Sequence, residues 1–235
     1  MNRVYWVRHG ENRANLTREF SYKKVDYPLT PRGVLQAEQA AAYFAGKPIR
    51  AVYSSPLLRA RQTAELIAAP LSLPVEVLEE LREINVGDLE GREPSPEAWA
   101  LHDNIFAEWW RGGRETAFPG GENGYQVLAR IRTAVNQILA GRRGEEIIIV
   151  SHGGCLLMSL ADIAPGCERQ PKLADGFGNC GFAEFIFENN IHPPEGKLLR
   201  WGVMEHLHGE AALQGLPRPT QAELDQMLGG SLAER

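Results

Sequence analysis

The sequence predicts an α/β protein, a three-layer αβα sandwich built on a mostly parallel, doubly wound sheet. Short apolar runs rich in β-branched and aromatic residues are typical of buried strands. These runs alternate with segments that carry helix start signals, and such alternation favours a parallel sheet with helices on both faces. The runs that carry this prediction are Asn2–Val7, Ile49–Ser54 and Glu146–Val150.

Polar residues that can do chemistry follow two of these strands directly. Arg8 and His9 come after the first run, with Asn15 a few residues later, and His152 and Gly153 come after the 146–150 run. Ligands of open α/β sheets bind beyond the carboxyl ends of the strands. We therefore expect the two histidines to lie at the same edge of the sheet.

The first long helix is predicted to start at Thr30 and Pro31. Thr30 is a suitable N-cap, and proline is well tolerated in the first turn of a helix. We expect an apolar face formed by Leu35, Ala42, Tyr43 and nearby alanines, and an end at Gly46 and Pro48.

The next helix is predicted to begin with the same combination of a cap and a proline, Ser55 and Pro56, and to run to about Ala69. Arg59 then falls in its first turn, close to the carboxyl end of the 49–54 strand. A cation at this place would face the same edge of the sheet as the histidines.

The remaining elements complete one predicted domain over residues 1–235. We expect a weak strand at 75–78, an amphipathic helix at 125–139 and a closing pair of strands at 181–188 and 197–203. A partly helical insert at about 92–121 would cover the active site. A C-terminal extension at about 204–235 has a cap pattern at Thr220 and Glu223, which predicts a short helix.

Composition limits the class of protein and its partners. The chain has 235 residues, 43% of them hydrophobic, a net charge of −5 and three cysteines without metal-type spacing. No membrane-length apolar stretch and no signal peptide is evident, so we expect a cytoplasmic protein with reduced thiols. The negative charge argues against nucleic acid or a membrane as partner.

The candidate residues together fit phosphoryl chemistry. Two guanidinium groups, those of Arg8 and Arg59, can hold a phosphoryl group through forked hydrogen bonds. A neutral histidine can accept that group, and Glu83, in a glycine-punctuated loop, can protonate a departing alkoxide. The sequence therefore predicts phosphomonoester hydrolysis that needs no metal and no cofactor.

These residues resemble the histidine phosphatase superfamily, in its phosphoglycerate-mutase-like branch. Ordered motifs carry the resemblance from the start of the chain to about residue 188. They are Arg8-His9-Gly10-Glu11 with Asn15, Pro28-Leu29-Thr30, Gly33, Gln36-Ala37, Ser54-Ser55-Pro56-Leu57-Leu58-Arg59-Ala60, Gln62-Thr63-Ala64, Leu81-Arg82-Glu83-Ile84, Gly87, Gly91, Gly121-Glu122, Ser151-His152-Gly153-Gly154 and Asn179.

The resemblance implies a role for each matching residue. His9 would be the nucleophile that forms a phosphohistidine, and Glu83 would protonate the leaving group and then activate water. The residues implied to bind the substrate phosphate are Arg8, Asn15, Arg59, His152 and Gly153.

Several residues have a second interpretation at this stage. Glu83 is also a candidate salt-bridge partner of Arg82 or Arg61. Ser21 and Lys23 are candidate substrate contacts, although a solvated loop is the simpler interpretation. For the tryptophans Trp99, Trp109 and Trp110, packing is the favoured interpretation and a ligand contact is the alternative. The histidines without a matching motif, expected at the surface, are His102, His192, His206 and His208.

Departures from the family pattern favour a phosphatase over a mutase. Related mutases carry a glycine-tryptophan pair where this chain has Tyr22 and Lys23, and an aromatic residue where it has Val86. Their basic loop for a second phosphate has no counterpart here, since only Arg92, Arg111 and Arg114 are scattered through the insert. A phosphoglycerate mutase and a non-catalytic phosphate-binding protein stay as alternatives. The expected partner is a small phosphorylated substrate, and a homodimer stays open.

Overall fold

The computed structural model describes residues 1–167, 178–188 and 195–214. Its strands are β1 (Asn2–Arg8), β2 (Ile49–Ser54), β3 (Val75–Val77), β4 (Glu146–Ser151), β5 (Phe182–Phe187) and β6 (Gly196–Val203). Its α-helices are α1 (Arg13–Thr17), α2 (Pro31–Ala45), α3 (Leu58–Ala68), α4 (Pro96–Trp110), α5 (Gly124–Leu139) and α6 (Gly153–Ile163). Short 3₁₀ turns lie at Ala69–Leu71, Glu79–Leu81, Gly87–Leu89 and Gly209–Ala212.

The strands form one sheet in the order β3-β2-β4-β1-β5-β6. β4 pairs in parallel with both β1 and β2, and β2 pairs in parallel with β3. β5 is antiparallel to β1, and β6 is antiparallel to β5. Among the described strands β5 alone runs against the others, so the prediction of a mostly parallel α/β sheet is confirmed.

Apolar side chains cover both faces of the sheet. Val4 and Trp6 of β1 pack with buried residues of α5 and α6, whereas Tyr5 and Val7 pack with buried residues of α2 and α3. Successive strand residues point to opposite faces, which is why a continuous apolar run is needed in a strand covered on both sides. The predicted three-layer αβα arrangement is therefore present.

Helix α2 starts as predicted and buries alanines of the predicted face, but it does not bury Leu35 or Ala42. Thr30 Oγ1 accepts the N–H of Gly33 at 3.0 Å, as expected of an N-cap. Leu35 is 39% exposed and Ala42 is exposed, so the predicted face is wrong there. The buried stripe follows the i, i+3, i+4, i+7 spacing of a helix and consists of Ala37, Ala40, Ala41 and Phe44.

Helix α3 begins at Leu58, so Ser55 is not its cap as we had predicted. The Asp26 carboxylate takes over this function, since both of its oxygens accept the N–H of Leu58 at 3.0 Å. The Ser55 hydroxyl is instead 2.7 Å from Nε2 of His152. Arg59 lies in the first turn, as predicted.

The insert and the first part of the C-terminal extension pack onto this frame. Helix α4 makes the insert partly helical, as predicted. After β6, Ala211 is buried against α2, and its carbonyl oxygen accepts a hydrogen bond from Gln36 Nε2 at 3.2 Å. The predicted cap at Thr220 and Glu223 lies outside the described residues. No helix within the described ranges combines the length and apolarity needed to span a bilayer.

Candidate active site

The carboxyl ends of three adjacent strands place the candidate residues together. The backbone N–H of His9 donates to the Ser151 carbonyl oxygen at 3.0 Å, and that of Ser55 donates to the Val150 carbonyl oxygen at 2.9 Å. The rings of His9 and His152 have centroids 5.1 Å apart. The register of β1 and β2 against β4 therefore brings both histidines to one point, as we had expected.

His9 is buried in a form suited to nucleophilic attack. Its Nδ1 lies 2.7 Å from the Gly10 carbonyl oxygen, which can only accept, so Nδ1 carries the proton and Nε2 has the free electron pair. Burial lowers the pKa of His9 well below 6.5, and the positive charges of Arg59 and Arg8 lower it further. The imidazole is therefore neutral at neutral pH.

Arg59 reaches His9 from the first turn of α3. Its side chain is 3% exposed, and its Nε–H donates to His9 Nε2 at 3.1 Å. Its Nη1 and Nη2 donate to the hydroxyl and carbonyl oxygens of Ser21, each at 3.0 Å. Burial lowers the pKa of Arg59 to about 10, so the guanidinium stays charged at neutral pH.

Arg8 adds a second guanidinium to the same cleft. It is the last residue of β1, and the cleft that it lines also contains His9, Arg59 and Glu83. Burial lowers the pKa of Arg8, and the charge of Glu83 opposes that shift. Gly153 lines the cleft beside Arg8, as the sequence predicted for a phosphate-binding edge.

His152 occupies the N-cap position of α6 and is also buried and neutral. Burial lowers its pKa well below 6.5, and Arg59 and His9 lower it further. Its Nε2 pairs with the Ser55 hydroxyl, whereas its Nδ1 is buried and has no hydrogen-bond partner in the described part of the chain. A buried ring nitrogen without a partner can bind a ligand oxygen at little additional cost.

Glu83 lies against the amino end of α6. Its Oε1 accepts the N–H of Ile84 at 2.9 Å and that of Cys155 at 2.8 Å, and its Oε2 accepts the N–H of Gly154 at 3.1 Å. A Cβ on Gly154 would come within 2.8 Å of Oε1, so this approach requires glycine. The N–H groups at the start of α6 thus fix the position of the Glu83 side chain.

The alternative interpretation of Glu83 as an ion-pair partner is wrong for both candidate arginines. Arg82 pairs with Glu79 at 2.7 Å, and Arg61 pairs with Glu65 at 3.7 Å. Neither arginine pairs with Glu83, whose side chain lines the cleft together with His9.

Asn15 and Asn179 form a pair behind His9. The Asn15 Oδ1 accepts the N–H of Asn12 and the Nδ2–H of Asn179, both at 3.1 Å, so its amide group is left as the donor. Asn179 also donates to the His9 carbonyl oxygen at 3.0 Å. Asn15 lines the cleft, where we had expected it to bind a phosphate oxygen.

The two candidate substrate contacts before residue 25 have different surroundings. Ser21 lines the cleft and contacts Arg59, whereas the side chain of Lys23 is exposed and does not line the cleft. Glu90 holds this loop: its Oε1 accepts the N–H of Tyr22 at 2.8 Å and that of Lys24 at 2.7 Å, and it also accepts the N–H of Lys23. No motif or spacing in the sequence indicates this role for Glu90.

Aromatic residues line the cleft beyond the polar groups, and sequence reasoning missed most of them. They come from three separate segments, the loop after α1, helix α4 and strand β6: Phe20, Trp99, His102, Phe106 and Trp201. The expectation of surface histidines is wrong for His102, which is half-buried in the cleft. It is also wrong for His206, which is buried with Nε2 3.1 Å from the Cys180 carbonyl oxygen. No periodic pattern marks such a lining, because it forms only when distant segments pack.

The arrangement can hold a tetrahedral oxyanion against a nucleophile. The guanidinium groups of Arg8 and Arg59 and the Asn15 amide line the cleft together with His9 and Glu83. The ring of His152 lies next to that of His9, with its centroid 5.1 Å away. Such fixed positive charge stabilises the charge that develops during phosphoryl transfer. The described residues contain no cluster of three or more His, Cys, Asp or Glu side chains that could hold a metal ion.

Comparisons with known proteins agree on the family to which this chain is similar. A model of the histidine phosphatase superfamily (branch 1) matches residues 4–191. A Proteus mirabilis protein named "Probable phosphoglycerate mutase GpmB" is 34% identical over 198 residues, which cover 81% of this chain and 87% of the relative. A relative of the same name from Escherichia fergusonii is 31% identical over 215 residues, which cover 90% and 97% of the two chains.

Solved structures with the same fold include two with 26% identity. Bacillus stearothermophilus YhfR superimposes with a TM-score of 0.73 over 88% of this chain and 99% of its own. A phosphoserine phosphatase from Entamoeba histolytica, solved in complex with phosphoserine, gives a TM-score of 0.70 over 88% and 100%.

Proposed function

The chain belongs to the histidine phosphatase superfamily, and on this basis we propose that it is a phosphomonoesterase that needs no metal. It hydrolyses a small phosphorylated metabolite through a phosphohistidine intermediate. His9 is the nucleophile, Glu83 is the proton donor, and Arg8, Asn15, Arg59, His152 and Gly153 bind the phosphoryl group.

In the first half-reaction the phosphoryl oxygens attract the guanidinium of Arg59. This releases the electron pair of His9 Nε2 from the Arg59 Nε–H that it accepts in the free protein. Nε2 then attacks phosphorus, the bond from phosphorus to the ester oxygen breaks, and Glu83 transfers its proton to that oxygen. An alcohol leaves, and phosphohistidine remains.

In the second half-reaction Glu83 acts as a base. Its carboxylate takes a proton from a water molecule, and the hydroxide oxygen attacks the phosphorus of phosphohistidine. The bond from phosphorus to Nε2 breaks, and inorganic phosphate is released. The protein returns to its starting protonation state, so atoms and charges balance over the cycle.

The observation that carries this proposal is the distribution of charge in the cleft. Arg8 and Arg59 lie beside His9, and among the described residues Arg18 is the one further arginine or lysine lining the cleft. Its guanidinium lies 4.8 Å from the centre of the Trp99 ring. These positive charges are sufficient to bind one phosphoryl group. They leave a second phosphate without the partners that a buried charge needs.

A phosphoglycerate mutase is the second candidate, and the names of the relatives favour it. A mutase must hold a bisphosphorylated intermediate and exclude water while the phosphate migrates. Arg114, which we considered for such a clamp, instead pairs with Asp162 at 2.5 Å, and Arg111 is exposed. The chemistry of the cleft therefore supports hydrolysis more than transfer between two positions.

Product analysis separates the two candidates. We expect 3-phosphoglycerate, incubated with catalytic bisphosphoglycerate and followed by ³¹P NMR, to give no rapid 2-phosphoglycerate. A panel of phosphorylated metabolites should include one that releases inorganic phosphate at a rate unchanged by EDTA. Rapid 2-phosphoglycerate with little free phosphate would overturn the proposal in favour of a mutase.

The intermediate is tested by rapid quenching with ³²P-labelled substrate. We expect an acid-labile, base-stable label on the protein, and none on the His9→Ala variant. Label that survives acid but is lost in hydroxylamine would identify a carboxylate acceptor instead. Absence of both label and turnover across the panel would favour the third alternative, a non-catalytic phosphate-binding protein.

The partner in this proposal is a small phosphorylated molecule and neither nucleic acid nor a membrane. A cytoplasmic, reducing setting fits the three cysteines Cys155, Cys167 and Cys180, which are buried and form no disulfide with one another. Light scattering would show directly whether the protein forms a homodimer.

A further inference from the structure

We propose that the cleft beside His9 contains a subsite for a planar aromatic ring, so that the substrate is a phosphate ester whose alcohol carries such a ring. This inference rests on the proposed function and specifies its substrate class. Four side chains form the subsite, which we call the aromatic wall: Phe20, Trp99, His102 and Phe106.

The rings of the aromatic wall form one continuous surface. Phe20 and Trp99 have ring centroids 4.5 Å apart with planes inclined by 31°. Trp99 and His102 are 5.0 Å apart, and His102 and Phe106 are 4.2 Å apart and inclined by 31°. Each ring therefore supports the next, and together they present an extended face rather than isolated contacts.

The aromatic wall borders the same space as the reacting groups. One cavity of about 450 Å³ is lined by the wall and by Arg8, His9, Arg59 and Glu83. A cavity of roughly 150 Å³ is sufficient to bind benzene. The cleft thus has room for a phosphoryl group and one or two rings attached to it.

The side chains of the aromatic wall do more than pack the insert against the rest of the protein. Behind the aromatic wall, Trp109 and Phe118 are almost fully buried and belong to the apolar core. Trp99, His102 and Phe106 are only half-buried, and they line the cleft. Large apolar surface that stays open beside a reactive centre is typical of a ligand site.

Further side chains add a cation and apolar edges beside the aromatic wall. The Arg18 guanidinium lies 4.8 Å from the Trp99 ring centre, a distance typical of a cation–π contact. Ile84 and Val86, which flank the Glu83 loop, add apolar edges to the cleft. Contacts between aromatic rings strengthen binding by about two- to tenfold beyond the effect of buried area.

Matched substrates test the subsite without changing the reactivity of the leaving group. 2-Phenylethyl phosphate and 2-cyclohexylethyl phosphate release alkoxides of nearly equal basicity, and their rings are of similar size. We expect kcat/KM to be about five- to tenfold higher for the phenyl ester, the range of one or two ring contacts. Equal kcat/KM for the two esters would overturn the inference.

Variants of helix α4 test whether the preference for the phenyl ester depends on the aromatic wall. Trp99→Leu should reduce the ratio of the two kcat/KM values to near unity, because leucine stays apolar but offers no ring. Trp110→Leu is the matched control: Trp110 is 45% exposed on the same helix and does not line this cleft, so the ratio should persist. If the Trp99→Leu variant does not fold, the Phe106→Leu variant is measured in its place. A ratio that survives both wall variants would overturn the inference.

Binding of non-hydrolysable analogues separates this inference from the proposed function. Calorimetry compares 2-phenylethylphosphonate with 2-cyclohexylethylphosphonate on the wild-type protein. Tighter binding of the phenyl compound with no ester hydrolysed would support the subsite and overturn only the phosphatase proposal. Hydrolysis of both esters at equal kcat/KM, with equal phosphonate affinities, would overturn only the subsite.

Discussion

The Nε–H group of Arg59 donates a hydrogen bond to Nε2 of His9 over 3.1 Å, so in the free protein the candidate nucleophile is engaged by a candidate phosphate ligand. Both side chains are buried, and the positive charge of Arg59 is one of the causes that lower the pKa of His9. Burial lowers the pKa of His9 most, and Arg59 adds to that effect while it also engages the nitrogen that would attack phosphorus.

Arg59→Met should change both affinity and pH dependence. Loss of the charge raises the pKa of His9 toward its ordinary value, so the acid limb of the kcat/KM profile should move to higher pH. Loss of the donors should lower kcat/KM by about 10²- to 10³-fold for all esters alike. Arg61→Met is the control, because Arg61 is on the same helix and pairs with Glu65. An unmoved acid limb would contradict this prediction.

Glu83→Gln should matter most for esters with poor leaving groups. A general acid contributes about 10²- to 10⁴-fold when the departing alkoxide must be protonated. We expect a loss of that order in kcat for an alkyl phosphate and a much smaller loss for p-nitrophenyl phosphate, whose phenolate leaves unaided. Comparable losses on both substrates would indicate that Glu83 only positions other groups.

Arg130 is predicted to position Glu83 without touching substrate. Its Nη1 donates to the carbonyl oxygens of Glu80 at 2.7 Å and Arg82 at 2.6 Å, and its Nη2 donates to that of Glu83 at 3.1 Å. The Glu122 carboxylate accepts from Arg130 Nε at 2.8 Å and from the N–H of Asn85 at 2.8 Å. The loop that carries Glu83 is thus held from both sides.

Arg130→Lys keeps the charge but loses the forked geometry. We expect kcat for an alkyl phosphate to fall by about tenfold or more as Glu83 shifts, with the inhibition constant of inorganic phosphate unchanged. Arg132→Lys is the control, since Arg132 lies on the same helix and is 3.9 Å from Asp162. Lower stability with unchanged kcat would show that Arg130 has a structural role only.

Three buried histidines, His9, His152 and His206, should make the fold less stable in acid, because burial lowers the pKa of each. The pKa of His152, like that of His9, is lowered by burial, so between the folded pKa and 6.5 the unfolded chain binds protons that the folded chain does not. Their contribution is complete above pH 6.5 and is lost as the pH falls, by up to about 1.4 kcal/mol per pH unit for each histidine.

Urea unfolding at about pH 7.5 and pH 5.5 measures this effect. The loss of unfolding free energy between the two conditions should be smaller in His152→Gln than in the wild type, because one titrating group is gone. His208→Gln is the matched control, since His208 is exposed and should leave the loss unchanged. An identical loss in wild type and His152→Gln would refute the prediction.

Local signals in the sequence were sufficient to predict the strands, most of the helices and the residues at the centre of the candidate site. Apolar runs, caps and prolines act over a few residues, so β1, β2 and β4 could be located from the order of the residues alone. Because parallel strands end at one edge, His9 and His152 could also be expected to meet. The Ser55 cap failed because a distant residue, Asp26, competed successfully for the same helix end.

Tertiary packing alone decided how the site is completed. The partners of Glu83 come from α6 and α5, and the aromatic wall joins Phe20 to residues of α4 that lie far along the chain. Such contacts depend on which surfaces remain to be buried once the sheet is covered, and no local spacing encodes that. The sequence by itself therefore determined that His9 and His152 meet at one edge of the sheet, whereas folding determined how Glu83 is held and which aromatic side chains line the cleft.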